Sequence, residues 1–556
     1  MKRIFYALLL LLPSSLLAQD QTVGLFLNDS TALNGYTLFS VNRTTYLIDN
    51  CGYEVHRWNG SSNVGLSTYL LEDGRLLRTG SVLGDIQGAG SGGRIELLSW
   101  TSERLWTFDY NDSEVRQHHD IEALPNGNIL ILAWEVYSRE EALAAGRDPE
   151  LLELDFWPDH IIEVEPVGTD DARIVWEWRA WDHLIQDFDP TKANYGDVGA
   201  HPELIDINLA QVRPTNFPGV TGEDWMHGNS IDYHPERDEI VISVRNFSEL
   251  LVIDHSTTTE EAAGHRGGNS DMGGDLLYRW GNPMNYRRGD STDQVFFQQH
   301  DARWIPPGYP HAGQIQVFNN GKGRSPQEFS TVERIDPPLD GEGRYQLVEG
   351  KAYGPVLPSR TYRGSTPFFS SFMGGAQPLS NGNTLVCVSQ RGGFMEVNPE
   401  DSVVWRYVSP VGINGPVAQG TFIGTHNIFR ATRYPEDYPA FIGRELLAGA
   451  PLERDPIPLD CTIYSDPSVG TTERWEAAAS FRVAKNPFGS FLAVEGLPEE
   501  AAWLRVYDVL GRRYRSERVA GGSRRWDSSA WPSGWYWVQL RSEDGRQQVV
   551  HPVVKQ

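Results

Sequence analysis

Apolar and polar positions alternate along most of this chain in runs of about four to eight residues, the period of half-buried strands. Residues 223–259, "EDWMHGNSIDYHPERDEIVISVRNFSELLVIDHSTTT", read as strand, turn, strand, turn. Hairpins at 46–58, 96–108, 161–178, 250–280 and 393–407 share one plan: an apolar strand, a polar turn, and a strand ending aromatic-x-aromatic. Those endings are His56/Trp58, Trp106/Phe108, Trp176/Trp178, Tyr278/Trp280 and Trp405/Tyr407. Upstream of most lies a second unit such as "LLEDGRLLRTG" or "EALPNGNILILAWE", whose Asp-Gly and Asn-Gly pairs favour tight hairpins. Four short strands per irregular repeat predict propeller blades.

A blade cannot bury both faces alone, so its neighbours must stack around an axis. The pattern places blades near 66–110, 115–180, 225–282, 298–350 and 370–410, with a sixth sewn from 36–58 and 425–435. Joining the two ends closes the ring and removes free sheet edges. The fourth blade departs from the plan, because "STVERIDPP" lacks the aromatic pair. The expected fold is all-β: a six-bladed β-propeller domain over 19–450, a linker at 451–480 and a small C-terminal β-sandwich over 481–556.

Residues 1–18, "MKRIFYALLLLLPSSLLA", have the anatomy of a cleaved export signal, and Pro13 breaks the apolar run short of the roughly 20 residues that a spanning helix needs. A mature, exported chain beginning near Gln19 is expected. The formal net charge of −26 argues against a nucleic-acid partner. Three cysteines, at 51, 387 and 461, are too few for a zinc scaffold; Cys51 and Cys461 are the candidate pair for one disulfide.

Four histidines then change the picture. His119, His227, His300 and His426 each stand at the start of the innermost strand of a blade, and such starts converge on a propeller's central channel. His118, His234, His255, His265 and His311 fall outside this register and read as solvated or structural, and the aromatic pairs read as packing between blades. Three imidazoles suit a metal. Against that, Arg245 and Asn229 belong to the blade of His227, and a guanidinium beside a divalent cation is costly. Converging Arg, His and Asn donors without carboxylate ligands suit an oxyanion, so neither metal nor cofactor is expected. No G-x-x-x-x-G-K-[ST] loop is present, which points to sulfate or phosphate esters rather than nucleotide phosphates.

The segments "HDIEALPNGNIL", "DWMHGNSIDY", "SVRNFSE", "QQHDARW" and "VFNNG" resemble the bacterial arylsulfotransferase family over roughly residues 34–445. The resemblance implies a six-bladed propeller that moves a sulfuryl group from an aryl sulfate to a phenolic acceptor, without 3′-phosphoadenylyl sulfate. It also implies a covalent histidine carrier at His300, with His119, His227, Asn229 and Arg245 holding the sulfate. His426 and Asn319 are added as substrate-binding candidates from their repeat position, and neighbouring Asn320 is given no role. In the tail, "AKNPFGSFLAVEGL", "VYDVLGR", "PSGWYWVQL" and Lys555 resemble the sorting domain of the type IX secretion system. That resemblance implies secretion machinery as a partner, passage through the periplasm, and a cell-surface or secreted end point; a homo-oligomer stays open. Two rival functions remain at this stage: a hydrolase that passes the sulfuryl group to water, and a non-catalytic propeller that binds sulfated ligands.

Overall fold

The computed structural model describes residues 21–209, 222–348, 351–364, 367–424, 426–457, 461–464, 481–508, 513–542 and 548–555. The expected export signal at 1–18 and most of the expected linker at 451–480 lie outside them. The fold is all-β, with 43% of residues in strands against 6% in helices. Among the described residues no helix is long and apolar enough to cross a membrane.

Six antiparallel sheets of four or five strands span residues 24–435, with three two-stranded pairs between them. Sheet I joins Ala431–Pro435 to Gly35–Val41, Thr44–Ile48 and Glu54–Asn59. Sheet II is Val64–Leu70, Leu76–Ser81, Gly93–Leu98 and Arg104–Asp109. Sheet III is Val115–Ala123, Ile129–Glu135, Asp159–Val167 and Asp171–Arg179. Sheet IV is Gly228–His234, Glu239–Val244, Glu249–Asp254 and Tyr278–Trp280. Sheet V is His300–Trp304, Ile315–Asn319, Thr331–Ile335 and Arg360–Tyr362. Sheet VI is Gly375–Pro378, Thr384–Val388, Gly393–Val397 and Val403–Val408, with Gly24–Asn28 added beside the last strand. Each sheet packs through its inner strands on the next sheet in this order, and sheet VI packs on Ala431–Pro435 of sheet I.

Two differences from the sequence reading have plain causes. The outer strand of sheet V is Arg360–Tyr362, beyond the expected limit at 350, because the segment before it folds back as a loop stitched by Gln346 N–H to Pro338 O (2.9 Å). The strand Gly24–Asn28 was not anticipated; it pairs with Trp405–Val408 and so ties the N-terminal region to sheet VI as well as to sheet I. Cys51 and Cys461 are joined in a disulfide, and Cys387 is a buried free thiol.

The aromatic endings bridge neighbouring sheets. Trp106 Nε1 donates to Asp171 O (2.8 Å) on sheet III, and Trp178 Nε1 to Gly274 O (2.7 Å) beyond sheet IV. Trp280 Nε1 donates to Pro355 O (2.7 Å) and Trp405 Nε1 to Asn50 O (2.8 Å) on sheet I. Each indole buries a large apolar face while its one donor finds a partner, so it adds direction to hydrophobic packing.

The innermost strands meet in a charged network rather than an apolar one. Arg430 Nη1 donates to Tyr69 Oη and Asp120 Oδ2, each at 2.7 Å, and its Nε lies 2.8 Å from Asp301 Oδ1. Arg303 donates to Asp301 Oδ1 and Tyr69 Oη, each at 2.7 Å. The same carboxylates take main-chain hydrogens from adjacent sheets: Asp120 from Ile231 (3.2 Å), Asp232 from Trp304 (2.7 Å) and Asp301 from Ala376 (2.9 Å).

Residues 481–555 form a separate set of strands. A three-stranded sheet (Arg482–Val483, Phe491–Glu495, Arg524–Asp527) and a four-stranded one (Arg513–Val519, Ala502–Asp508, Gly534–Ser542, Gln548–Lys555) share a core that includes Leu492, Val494, Leu504, Val506 and Val538.

Removing one partner from a buried, paired charge leaves the others uncompensated, at about 3–5 kcal/mol. Arg430→Met keeps most of the side-chain volume and strips its charge from Asp120 and Asp301. Urea unfolding monitored by tryptophan fluorescence should show a loss of about 3–5 kcal/mol. A change below about 1 kcal/mol would mean that the network does not hold the sheets together.

Candidate active site

On or just before each inner strand, near the same end, a non-glycine residue lies in the left-handed region. These are Leu66 (φ 114°), His119 (50°), His227 (55°), Asp301 (57°), Met373 (55°) and Asn427 (50°). Sheets II to V also shift register in their first ladder, as β-bulges do. Such residues cost about 1–3 kcal/mol each and collect where a side chain must be re-aimed. They also correct the expected common register. His119 and His227 are themselves the left-handed residues, whereas His300 and His426 precede theirs by one position.

His119, His227, His300 and Arg245 nevertheless gather at one place. The rings of His119 and His227 meet edge to face with centroids 4.5 Å apart. Burial, followed by the nearby charges of His227, His118, His300 and Arg245, pushes His119 well below the usual imidazole range, so it is neutral. Gly90 (φ 89°) makes room for this ring: a Cβ there would lie 2.0 Å from it.

His300 is fixed more tightly. Its Nδ1 is 2.7 Å from Asn320 Oδ1, and its Nε2 accepts the main-chain N–H of Met373 at 3.1 Å. The Asn320 amide cannot be turned round, because its NH2 group donates to Ser370 O (2.9 Å) and Met373 O (2.8 Å). Asn320 Oδ1 therefore accepts, Nδ1 carries the hydrogen, and the lone pair sits on Nε2. Burial and the positive Arg245 lower the His300 pKa to about 3, against the hydrogen bond to Asn320 that raises it. The ring is neutral throughout the physiological range.

His227 is held differently. Its Nδ1 bonds to Asp224 Oδ2, and Asp224 Oδ1 accepts Trp134 Nε1–H (2.9 Å). Burial opposes ionisation of Asp224, yet the His227 charge and these hydrogen bonds bring its pKa below the ordinary value. Asp224 ends the short strand Gly222–Asp224, which pairs in parallel with Asp155–Trp157. The result is a carboxylate–imidazole pair whose Nε2 is left to exchange a proton.

Arg245 donates to Asn246 Oδ1 (2.9 Å) and Gln298 Oε1 (2.6 Å), both neutral. Among the described residues no carboxylate forms an ion pair with it, although burial makes its charge costly and lowers its pKa. A buried guanidinium held by amides is an electrostatic vacancy for an anion. Asn229 is fully buried; one amide hydrogen goes to Gln299 O (2.8 Å) and its Oδ1 has no partner.

Other expectations need correction. Asn319, taken as a substrate group, accepts from Phe297 N–H (3.0 Å) and donates to Val295 O (2.9 Å), so its amide clasps a loop; the asparagine on the site is Asn320. His426 packs on Gly392, and among the described contacts no hydrogen bond links it to the other three histidines. Of the two readings given for His118, solvated or structural, the structure takes the second: it is fully buried, stacks on Trp134 (4.2 Å), and its Nδ1 lies 2.9 Å from His119 Nδ1. Its Nε2 is 3.4 Å from Asp159 Oδ1. His255 bridges Asp238 (2.7 Å) and Glu163 (3.0 Å); burial opposes its charge, yet these bonds push its pKa up to about 9. Sequence reasoning missed His118, Asp224, Gln298 and the main chain of Met373. Only Asp224, three residues before His227 in "EDWMH", left a readable trace.

The profile of the family described as arylsulfotransferase (ASST) matches residues 103–407, more than half of the 556 residues. No curated protein matches the chain in sequence. Among solved structures, a protein of unknown function from Bacteroides caccae is 12% identical, with a TM-score of 0.38 over 72% of this chain and 98% of that one. The Cps50 (Swd1) β-propeller domain of Myceliophteria thermophila is 9% identical, with a TM-score of 0.33 over 71% of this chain and 88% of that one. At such scores these likenesses carry no argument.

The His300 assignment has a spectroscopic consequence. In ¹⁵N-histidine NMR, the signal lost in His300→Asn should belong to a neutral ring with hydrogen on Nδ1, unchanged down to about pH 4. The unfolded ring takes its proton near pH 6.5 and the folded one near 3, so this residue's contribution makes the fold less stable as pH falls through that window. A midpoint between pH 6 and 7 would contradict the assignment.

Proposed function

The chain belongs to the arylsulfotransferase family, and from that sulfotransferase-type function we propose a covalent relay in which His300 carries the sulfuryl group from an aryl sulfate to a phenol. The observation that carries the reading is the tautomer of His300, a buried neutral imidazole with its lone pair on Nε2 beside the unpaired Arg245. A nucleophilic side chain splits one difficult displacement into two easier ones, so donor and acceptor need not occupy the site together.

In the first step His300 Nε2, released from Met373 N–H, attacks sulfur. The S–O bond to the aryl group breaks, and the leaving oxygen takes the electron pair together with a proton from His227 Nε2. The products are a phenol and an N-sulfonated His300 whose positive charge is shared with Nδ1–H, on Asn320 Oδ1. Met373 N–H is then available to a sulfuryl oxygen. Arg245, Asn229 and the edge of His119 face the same group, and preorganised donors of this kind are typically worth a few kcal/mol each in the transition state. In the second step His227 Nε2 takes the proton of the acceptor phenol, whose oxygen attacks sulfur, and the N–S pair returns to His300. His227 suits acid–base work better than His119, because Asp224 balances its cationic form. No nucleotide donor is required.

The ring order of sheets I to VI supports a six-bladed propeller over 19–450, with the relay at one end of its axis. The two tail sheets support a β-sandwich over 481–556, which we assign to type IX sorting from its motifs, with secretion machinery as partner. The disulfide is consistent with an exported chain that passes through an oxidising compartment to the cell surface or medium.

The test is turnover of 4-nitrophenyl sulfate with and without added phenol. Nitrophenolate release should depend on phenol and yield phenyl sulfate; release to water alone would make the protein a hydrolase, and no release would favour a binding propeller. His227→Ala should then cost at least about tenfold more with phenyl sulfate than with 4-nitrophenyl sulfate, since nitrophenolate leaves without help from an acid. Equal losses on both donors would remove His227 from the proton path.

A further inference from the structure

Away from the relay, His183, His265 and Asp275 bring three potential ligand atoms within 4.8 Å of one another. His183 ends the 3₁₀ turn Ala180–His183 after sheet III; the other two lie on the loop leading into Tyr278–Trp280. His183 and Asp275 are buried, and His265 is exposed.

The hydrogen-bond pattern around them is short of donors or holds a cation. His183 Nδ1 and His265 Nδ1 each lie 2.8 Å from the same oxygen, Asp275 Oδ1. His183 Nε2 lies 2.9 Å from Ala262 O, a carbonyl that can only accept. The Nε2 hydrogen is thus committed to Ala262, and a neutral His183 turns the lone pair of Nδ1 towards an ionised carboxylate. Three arrangements resolve that repulsion: a second proton on His183, a proton on Asp275, or a metal ion among the three atoms.

We propose that His183 Nδ1, His265 Nδ1 and Asp275 form a binding site for a divalent ion of the zinc class. Two imidazoles and a carboxylate are a recurrent three-ligand set for that ion, with water at the fourth position. The bond from His183 Nε2–H to a main-chain carbonyl is the outer contact by which ligating histidines are held in one tautomer. Zinc–ligand bonds of about 2.0–2.2 Å require ligand atoms roughly 3.3 Å apart in a tetrahedron, against 2.8 Å here. The exposed His265 supplies that movement on its own side, and a small shift of the Asp275 carboxylate opens its separation from His183. It lines a surface cavity of about 550 Å³ through which the ion and its water can arrive. The bound ion fastens the loop that carries His265 and Asp275 to sheet III.

The experiment uses the full chain, stripped with a chelator, then titrated with Co²⁺ by visible absorption and with Zn²⁺ by calorimetry. The wild type should take up one equivalent with the spectrum of four-coordinate Co²⁺. His265→Ala, which removes an exposed ring, and Asp275→Asn should each weaken binding by at least about tenfold. His201→Ala should bind as the wild type does, because His201 lies on the same cavity but is paired with Glu203 (2.8 Å). If Asp275→Asn fails to fold, His265→Ala decides alone. Absence of binding by the wild type, as a shared proton would give, or equal binding by His265→Ala, overturns the proposal.

Discussion

The structure depends on the clasp that Arg430 makes with Asp120, Asp301 and Tyr69. Arg430 precedes the inner strand of sheet I, and its partners come from sheets II, III and V. The same carboxylates hold main-chain hydrogens on sheets IV and VI, so six inner strands answer to one buried network. Two guanidiniums face Asp120, Glu122, Asp232 and Asp301. Burial and the other carboxylates push the Glu122 pKa well above the usual range, which eases the excess negative charge. An apolar axis would bring the strands together without fixing their register, whereas charges with directional partners do fix it, and the residues one step along each strand inherit that placement. His119 adjoins Asp120, and His300 adjoins Asp301.

The relay site inverts the charge balance of the chain. With a net charge of −26 the protein repels anions at long range, and a sulfate ester must be captured locally. In the proposed relay this falls to Arg245, whose hydrogen bonds go to amides that fix its direction without an ion pair. Burial, and after it the same positive field, keeps His300 unprotonated, as the proposed nucleophile must be. Asp224 is the carboxylate that accompanies the cluster, and it is turned onto His227. In the proposed relay, charge at the site is thereby divided by role: a fixed cation for binding, a neutral ring for attack, and a paired ring for proton exchange.

Much of the fold was legible in the sequence because strand patterning, Asn-Gly turns and aromatic endings repeat. Sheets II, III, IV and VI fall within a few residues of the expected limits. Sheet V broke the pattern in both sequence and structure, and the strand Gly24–Asn28, although followed by the turn residues Asp29 and Ser30, falls outside the four-strand repeat. For the site, residue type and repeat position led to His119, His227 and His300. What they could not supply is the left-handed residue on or just before each inner strand, because His, Asp, Leu, Met and Asn occupy it rather than glycine. That one-residue difference separates His119 and His227 from His300 and His426. It also hid the exchange of Asn319 for Asn320: adjacent residues on a strand point to opposite sides, and only the ladder shows which one faces His300. His118 lies outside the repeat register and reads as solvated or structural; it is buried and buttresses His119.

The central claim is that the sulfuryl group rests on His300 between two half-reactions. The direct measurement is peptide mass mapping after rapid quench into base, with aryl sulfate present and no acceptor. The account predicts one added sulfuryl group on the peptide containing "QQHDARW", stable in base, lost in acid, discharged by added phenol and absent from His300→Asn. A sulfuryl group on His119, His227 or His426 instead, or phenol-dependent turnover with no labelled peptide at any quench time, would contradict it.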